Sequence, residues 1–203
     1  MKLVDKFDCV IRFRQRVESM LLMTLLLFSA TAIEAGTFKI DLEGCRAGSG
    51  NGYHLEQVLG QGGLYVPMYI CNDAAYTDGN LNTWAELDMV PHRLIFENTT
   101  GAPVDFNFTV GGDYIDTNDP NLIGWDYITE LTLDVNASDP ICQTMVDDFV
   151  VQTLQIDGEN LHRHVTVTSF PDDTTCIADY NMRLAIGSSG YPGSSLQDYL
   201  LEG

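Results

Sequence analysis

The sequence predicts an all-β protein, a single antiparallel β-sandwich of jelly-roll or immunoglobulin-like kind that is stabilised by disulfides. Apolar and polar residues alternate in about eight to ten short segments, which is the pattern of half-buried strands. Turn-forming residues separate these segments roughly every 8–15 positions. Four cysteines follow the N-terminal segment, and a chain of 203 residues, 45% of them hydrophobic, can bury one sizeable core.

Residues 1–35 have the pattern of a secretory signal peptide. Met20–Ala32 is a short apolar run with five Lys and Arg residues before it, and the A-x-x-A step at Ala32–Ala35 follows it. The run holds about 13 residues, whereas roughly 20 are needed to span a bilayer. We therefore expect cleavage after residue 35, no stable transmembrane anchor, and one β-sandwich domain over residues 36–203.

The predicted mature domain is strongly acidic. The whole chain has a formal charge of −19 at pH 7, and residues 36–203 keep 25 acidic and five basic residues, a net charge of about −20. Nucleic-acid binders neutralise phosphates with Lys and Arg, so this class of protein is excluded. An acidic surface of this kind keeps a protein soluble and attracts cations.

The first predicted strand of the domain is Thr37–Leu42. Phe38, Ile40 and Leu42 share one side of it, and charged residues occupy the other side. Residues 44–63, which are rich in glycine and polar residues, predict a long loop.

The clearest strand signal is a hairpin in the middle of the chain. Trp84–Glu97 and Val104–Val110 both alternate, and Asn98–Gly101 supplies a turn, so we expect the two strands to pair. Leu64–Cys71 is also β-prone, but Pro67 favours an edge or bulged strand there.

The second half of the chain continues the pattern. The Asp-Gly step within Asp157–Asn160 favours a tight turn between the strands on either side. Asp139–Phe149 is the one helix candidate, because Pro140 suits the first turn of a helix. Strands are predicted at Tyr127–Val135, Phe149–Ile156, Leu161–Phe170 and Cys176–Ile186, and a loop rich in glycine and serine leads to a last short segment, Leu196–Leu201.

The four late cysteines predict two disulfides, as an even number does in an exported chain. Three connectivities are open. We favour Cys45–Cys71 and Cys142–Cys176, since each closes a loop of about 26 to 34 residues and stabilises the fold by roughly 3 kcal/mol. A zinc site is disfavoured, because the sequence has no C-x-x-C pair.

Three N-x-[ST] sequons predict glycosylation at Asn98, Asn107 and Asn136. Asn107 lies on the polar side of its predicted strand, and the other two lie in a turn and a loop, where a glycan fits. The alternative is chance, since so short a motif is common.

Acidic loops suggest a calcium site. Ca²⁺ takes about six to eight oxygen ligands, which Asp, Asn and backbone carbonyls of a flexible loop provide. Such residues are also ordinary turn formers, because their side chains bond to nearby backbone groups. No other cofactor is expected. The candidate calcium ligands are Asp113, Asp116, Asn118 and Asp119.

Two further sets of side chains deserve a chemical interpretation. His162 and His164 share one face of a predicted strand and could hold a transition metal, although an exposed polar stripe is the alternative. Aromatic residues near polar loops indicate either a sugar-binding surface or the rim of a core. These aromatic residues are Tyr53, Tyr65, Tyr69, Tyr76, Trp84, Tyr114, Trp125, Tyr127 and Tyr191.

These observations favour a secreted acidic structural or interaction protein, such as a subunit of an extracellular filament or surface layer. Residues 36–44, with Phe38, Ile40 and Leu42, could add to the sheet of a second copy; the alternative is pairing within their own domain. A secreted carbohydrate- or calcium-binding module that recognises surface glycans is the second hypothesis. A jelly-roll hydrolase is the third, but the sequence contains neither G-x-S-x-G nor H-E-x-x-H, and we do not expect an enzyme.

Overall fold

The computed structural model describes residues 36–47, 50–60, 63–79, 81, 83–191 and 198–202. The predicted signal peptide, residues 1–35, lies outside the described residues, and cleavage there stays a prediction. No helix in the described part of the chain is long and apolar enough to cross a membrane. The strands are β1 Phe38–Cys45, β2 His54–Leu59, β3 Tyr65–Ile70, β4 Tyr76–Thr77, β5 Met89–Asn98, β6 Val104–Asp113, β7 Trp125–Ile128, β8 Thr132–Leu133, β9 Phe149–Val151, β10 Gln155–Asp157, β11 Asn160–Phe170, β12 Thr174–Leu184 and β13 Asp198–Glu202. Short 3₁₀ helices span Asp73–Ala75, Pro140–Met145 and Ser188–Gly190.

Two antiparallel sheets make up most of the fold. Sheet 1 has the strand order β4-β1-β5-β12-β7, and β8 also pairs with β12. Sheet 2 has the order β10-β11-β6-β13, and β9 also pairs with β11. The remaining two strands, β2 and β3, form a separate antiparallel pair.

One hydrophobic core joins the two sheets. Buried side chains of β5 and β12 in sheet 1 and of β6 and β11 in sheet 2 belong to the same cluster. The ring centroid of Phe96, on β5, lies 5.4 Å from that of Phe108 on β6 and 5.4 Å from that of Phe149 on β9. The prediction of an antiparallel all-β fold is confirmed. Two sheets that share a core are the arrangement that a sandwich requires.

The predicted hairpin between β5 and β6 is wrong, because the two strands lie in different sheets. β5 pairs with β1 and β12, whereas β6 pairs with β11 and β13. Residues 99–103 therefore form an arch between sheets. Asn98 braces this arch, since its Nδ2 donates to Ala102 O and Phe170 O. An alternating pattern shows which face of a strand is apolar, but it does not show which strand lies beside it.

The predicted loop over residues 44–63 also needs correction, because it contains β2. Residues 54–57 are all exposed, so this strand lacks the apolar alternation that identifies strands from sequence. It forms by pairing with β3 along its full length.

The predicted helix over Asp139–Phe149 is not an α-helix. Pro140–Met145 is a 3₁₀ helix, in which Cys142 N donates to Asp139 O over 2.9 Å. The segment ends in β9, which starts at Phe149. Pro140 does begin the helical segment, but Cys142 is tied by a disulfide to β12, which fixes the segment against sheet 1.

The strand predicted from Trp84 begins later, at Met89, and runs through Pro91 without a break. Pro91 is tolerated because β1 pairs with β5 only as far as His92, so the missing N–H removes no bond to β1. Two other predicted strands are interrupted: one becomes β7 and β8, and the other becomes β9 and β10.

Both predicted disulfides are confirmed, Cys45–Cys71 and Cys142–Cys176. The first links the end of β1 to the residue after β3, and the second links the 3₁₀ helix to β12. Disulfides persist in oxidising compartments, which indicates an extracellular or periplasmic environment. The predicted tight turn is confirmed as well, since Asp157 and Asn160 are paired across it and Gly158 has a φ of +61°.

Candidate assembly edge

The strand β1 is an edge of sheet 1 over most of its length. On one side it pairs with β5 at seven successive positions, from Phe38 to Gly44. On the other side only Gly44 and Cys45 are paired, with the two residues of β4. Within the described part of the chain, no strand pairs with Phe38–Glu43 on that side. We call this stretch the open edge of β1.

Two hydrogen bonds at the ends of β1 show which backbone groups face the open edge. Thr99 N donates to Thr37 O over 2.9 Å, so Thr37 faces β5. Arg46 N donates to Ala75 O over 3.1 Å, so Arg46 faces away from β5. Since successive residues of an antiparallel strand face alternate sides, the even-numbered residues direct their N–H and C=O groups outward. These residues are Phe38, Ile40 and Leu42.

The side chains of these three residues pack into the core shared by the two sheets. The ring centroid of Phe38 lies 4.4 Å from that of Phe106, and Ile40 is only 8% exposed. Lys39 and Asp41, between them, are exposed to solvent. The apolar residues of the predicted assembly strand therefore anchor β1 in its own domain, and its backbone edge is the part left accessible.

On the open edge, the protection that edge strands usually have is limited to the charged residues Lys39, Asp41 and Glu43. Bulges, prolines and lysines are the common devices that prevent a second chain from pairing with an edge. β1 contains no proline, and its register with β5 is uninterrupted. Its single lysine, Lys39, lies 3.2 Å from Glu97 of its own sheet.

A buried ionic cluster centred on Arg93 fastens the neighbouring segment of the chain to the outer face of sheet 1. Arg93, on β5, is 5% exposed and donates to Asp179 on β12 over 2.8 Å. It also donates to Asp73 over 2.7 Å and to Asp134 over 3.2 Å. Its guanidinium carbon lies 4.2 Å from the ring centroid of Tyr76, in β4. The cluster thus holds β4 beside the end of β1.

Burial dominates the electrostatics of this cluster. Burial raises the pKa of Asp179 to about 6, although the hydrogen bonds and charge of Arg93 oppose the rise. Burial lowers the pKa of Arg93, but the contacts with Asp179 outweigh that effect and leave its pKa above the ordinary value. The cluster was missed in the sequence analysis. Its residues come together because Arg93 and Asp179 are directly opposite in the β5–β12 register, and the sequence does not show which strands are neighbours.

The structure separates the three predicted glycosylation sites. Asn107 and Asn136 are exposed, and glycosylation there stays a prediction. Asn98 is fully buried, and its Nδ2 donates to three backbone carbonyls; glycosylation there stays a prediction as well. The sequon at this position marks an amide that braces the arch between the sheets.

In the predicted calcium loop, aspartate side chains accept hydrogen bonds from nearby backbone N–H groups, which was the alternative interpretation of these residues. Asp116 is 7% exposed, and its Oδ1 accepts hydrogen bonds of 2.8 Å from the backbone N–H groups of Asn118 and Asp119. Asp119 Oδ1 accepts in turn from Asn121 N over 3.0 Å. No group of three or more acidic, histidine or cysteine residues suited to a metal is found among the described residues. Calcium binding stays an untested prediction.

Three of the predicted surface aromatic residues come together beside β5. The rings of Tyr53 and Tyr69 are stacked with centroids 5.0 Å apart, and Trp84 meets Tyr53 edge-on at 5.1 Å. Tyr53 is 37% exposed. Trp125 is different, since it is 4% exposed and belongs to the core, where it packs against His92. We call Tyr53, Tyr69 and Trp84 the aromatic patch.

Comparison of the chain with protein-family models, with curated proteins and with solved structures finds no match.

Proposed function

We propose that this chain is a secreted, acidic structural protein that assembles outside the cell, as a subunit of a filament or surface layer, by strand addition along residues 36–44. The observation that carries the proposal is the open edge of β1. Three backbone N–H and three C=O groups there have no strand partner within the described residues. Unpaired edge groups are a template for a strand from another chain.

The partner proposed is a second copy of this chain. Sheet 2 also ends in an edge, because β13 pairs with β6 and with no other described strand. If β13 of one copy pairs with β1 of the next, the contact is heterologous and repeats from copy to copy, which gives a filament when the rotation between copies does not close into a ring. If β1 pairs with β1 of the second copy, the contact closes as a two-fold dimer. The filament requires the first arrangement.

Charge would control this assembly. Copies that each carry a net charge of about −20 repel one another in dilute buffer. Salt shortens the range of this repulsion to about 8 Å at physiological ionic strength. Assembly should therefore be weak at low salt and increase as sodium chloride is added, while backbone pairing itself is insensitive to salt.

The decisive experiment removes one outward N–H from the open edge. Leu42→Pro removes that donor without removing a bond to β5, and proline is tolerated on an edge strand. Leu42→Ala is the matched control, because it removes the same side chain and keeps the N–H. Both variants should show similar thermal unfolding, but only Leu42→Ala and the wild-type protein should form polymers by light scattering and electron microscopy. Polymers of Leu42→Pro equal to those of Leu42→Ala would contradict the proposal.

A carbohydrate-binding module is the second candidate function, and the aromatic patch is the observation that favours it. Stacked tyrosines and a tryptophan beside them offer apolar ring faces with polar rims, which suit a sugar. Tyr53→Ser should abolish binding to a glycan array if this function is correct. Tyr65→Ser is the control, since Tyr65 is 70% exposed and no aromatic ring contact joins it to the patch. Equal loss in both variants, or no glycan binding by the wild-type protein, would reject this candidate.

A further inference from the structure

The outer face of sheet 2 carries a pair of histidines that neither the fold nor the assembly edge explains. His162 and His164 are both half-buried residues of β11, two positions apart, so their side chains leave the same face of the sheet. Their ring centroids lie 4.8 Å apart, with the ring planes at 59°. The residue opposite His162 is Gly111, and the phenol ring of Tyr199, on β13, lies against this glycine.

The spacing of the two ring centroids allows both imidazoles to reach one metal ion when a nitrogen of each ring turns toward it. A metal about 2.05 Å from one nitrogen of each imidazole lies about 3.2 Å from each ring centroid. Centroids 4.8 Å apart then correspond to a nitrogen–metal–nitrogen angle of about 97°. This angle lies between the ideal square-planar and tetrahedral values, which are the geometries of Cu²⁺ or Ni²⁺ and of Zn²⁺.

The ring nitrogens of His162 and His164 differ in their hydrogen bonds, and these bonds decide which nitrogen can bind a metal. His164 Nδ1 lies 2.6 Å from Thr109 Oγ1, on the neighbouring strand β6. When Nδ1–H donates to that hydroxyl, Nε2 is the unprotonated nitrogen, as in metal-binding histidines whose second nitrogen is held by a hydrogen bond. For His162, no hydrogen bond to another described residue engages either ring nitrogen.

The strongly acidic surface adds a general attraction for divalent cations. Asp157, at the end of β10, is close enough to His162 to act on it electrostatically. Since its charge is negative, it would offset part of the charge of a bound cation. Water molecules would complete the coordination shell, because the described residues contribute two imidazoles and no third protein ligand.

We infer that His162 and His164 form a binding site for one divalent transition-metal ion of the Cu²⁺, Ni²⁺ or Zn²⁺ class, on the outer face of sheet 2. The site is separate from the open edge of β1, which belongs to sheet 1. It therefore stands whether or not the chain assembles by strand addition.

The experiment titrates the full chain, purified in its disulfide-bonded form without a histidine tag, with ZnCl₂ by calorimetry. One Zn²⁺ per chain is expected, and His162→Ala and His164→Ala should each weaken binding at least tenfold. Two nitrogen ligands should also appear in the electron paramagnetic resonance spectrum of the protein with CuSO₄. His54→Ala is the control variant, because His54 is an exposed histidine on β2 that should not contribute.

Melting temperatures distinguish a loss of Zn²⁺ binding at the site from a loss caused by misfolding of the variant. Saturating Zn²⁺ should raise the melting temperature of the wild-type and His54→Ala proteins but not of the His162 and His164 variants. His162→Gln, which keeps the size and polarity of the side chain, should fold normally and still bind at least tenfold more weakly. Wild-type affinity in this variant, or an equal loss of affinity in His54→Ala, would overturn the inference.

Discussion

The two edge strands β1 and β13 come from opposite ends of the described chain and are held in different ways. β1 is fixed by apolar side chains in the core and by the disulfide at Cys45. β13 is shorter, and Leu201 within it is 58% exposed. Its polar anchor is Asp198, whose Oδ2 lies 3.3 Å from the fully buried His92 Nε2, at ion-pair distance.

The two strands differ in the interactions that hold them to their sheets. Packing in the core and the disulfide at Cys45 hold β1 in its own sheet. A contact between the Asp198 carboxylate and the buried His92 ring holds β13 with less apolar area, and the lowered pKa of Asp198 makes its strength depend on pH. In the proposed assembly, the two edges would differ in how firmly they are held and in how they respond to pH.

The largest expected change in unfolding free energy comes from the ionic cluster centred on Arg93. Arg93→Met leaves the buried carboxylate of Asp179 without its cation, so we expect unfolding free energy to fall by about 3–5 kcal/mol. Arg183→Met is the control, because Arg183 pairs over 2.7 Å with Asp126 while remaining 43% exposed, and it should cost less than about 1 kcal/mol. Denaturant titration with the disulfides intact measures both.

A smaller loss for Arg93→Met than for Arg183→Met would show that the ionic cluster does not hold the β4 segment on sheet 1. Hydrogen exchange would localise the effect. The amides near β4 should become less protected in Arg93→Met, while those of β13 should keep their protection, since β13 belongs to the other sheet.

The second prediction compares the two edge strands by the same truncation. Ile40→Ala should cost about 3 kcal/mol, because it leaves a cavity in the core beneath β1. Leu201→Ala should cost less than about 0.5 kcal/mol, because the side chain is already mostly in solvent. Equal losses of unfolding free energy in the two variants would mean that β1 and β13 are anchored alike.

The sequence was informative where a residue's role depends on its own strand. Phe38, Ile40 and Leu42 are identified as one apolar side of β1 by alternation alone, and loop length favours the observed disulfides over the two other connectivities. The arch at Asn98 could not be predicted, because a turn signal between two alternating segments fits a hairpin and an arch equally well. Arg93 was missed for a related reason: its partners are 20, 41 and 86 residues away in sequence.

The third prediction concerns the pH dependence of the β13 anchor. Burial raises the pKa of Asp198, whereas the contact with His92 lowers it. The lowering effects together outweigh the effect of burial, so the pKa of Asp198 lies below its ordinary value. A carboxyl with a lowered native pKa stabilises the fold above its unfolded pKa of about 4, and this contribution is lost as the pH falls through the native pKa.

Asp198→Asn should therefore cost about 1 kcal/mol at pH 7 and progressively less below pH 4. Unfolding free energies of the wild-type and variant proteins should converge in acid. Asp126→Asn provides the comparison on sheet 1, where the carboxylate is paired with the partly exposed Arg183. A pH-independent difference between wild type and Asp198→Asn would exclude an ionic anchor for β13.

Hydrogen exchange of the β1 amides, measured by NMR before and after assembly, tests the central claim most directly. In the monomer, the amides of Lys39, Asp41 and Glu43 should be protected by β5, while those of Ile40 and Leu42 exchange rapidly at the open edge. On assembly at higher salt, Ile40 and Leu42 should become as protected as their odd-numbered neighbours. Polymers in which these two amides still exchange rapidly would contradict assembly by strand addition to β1.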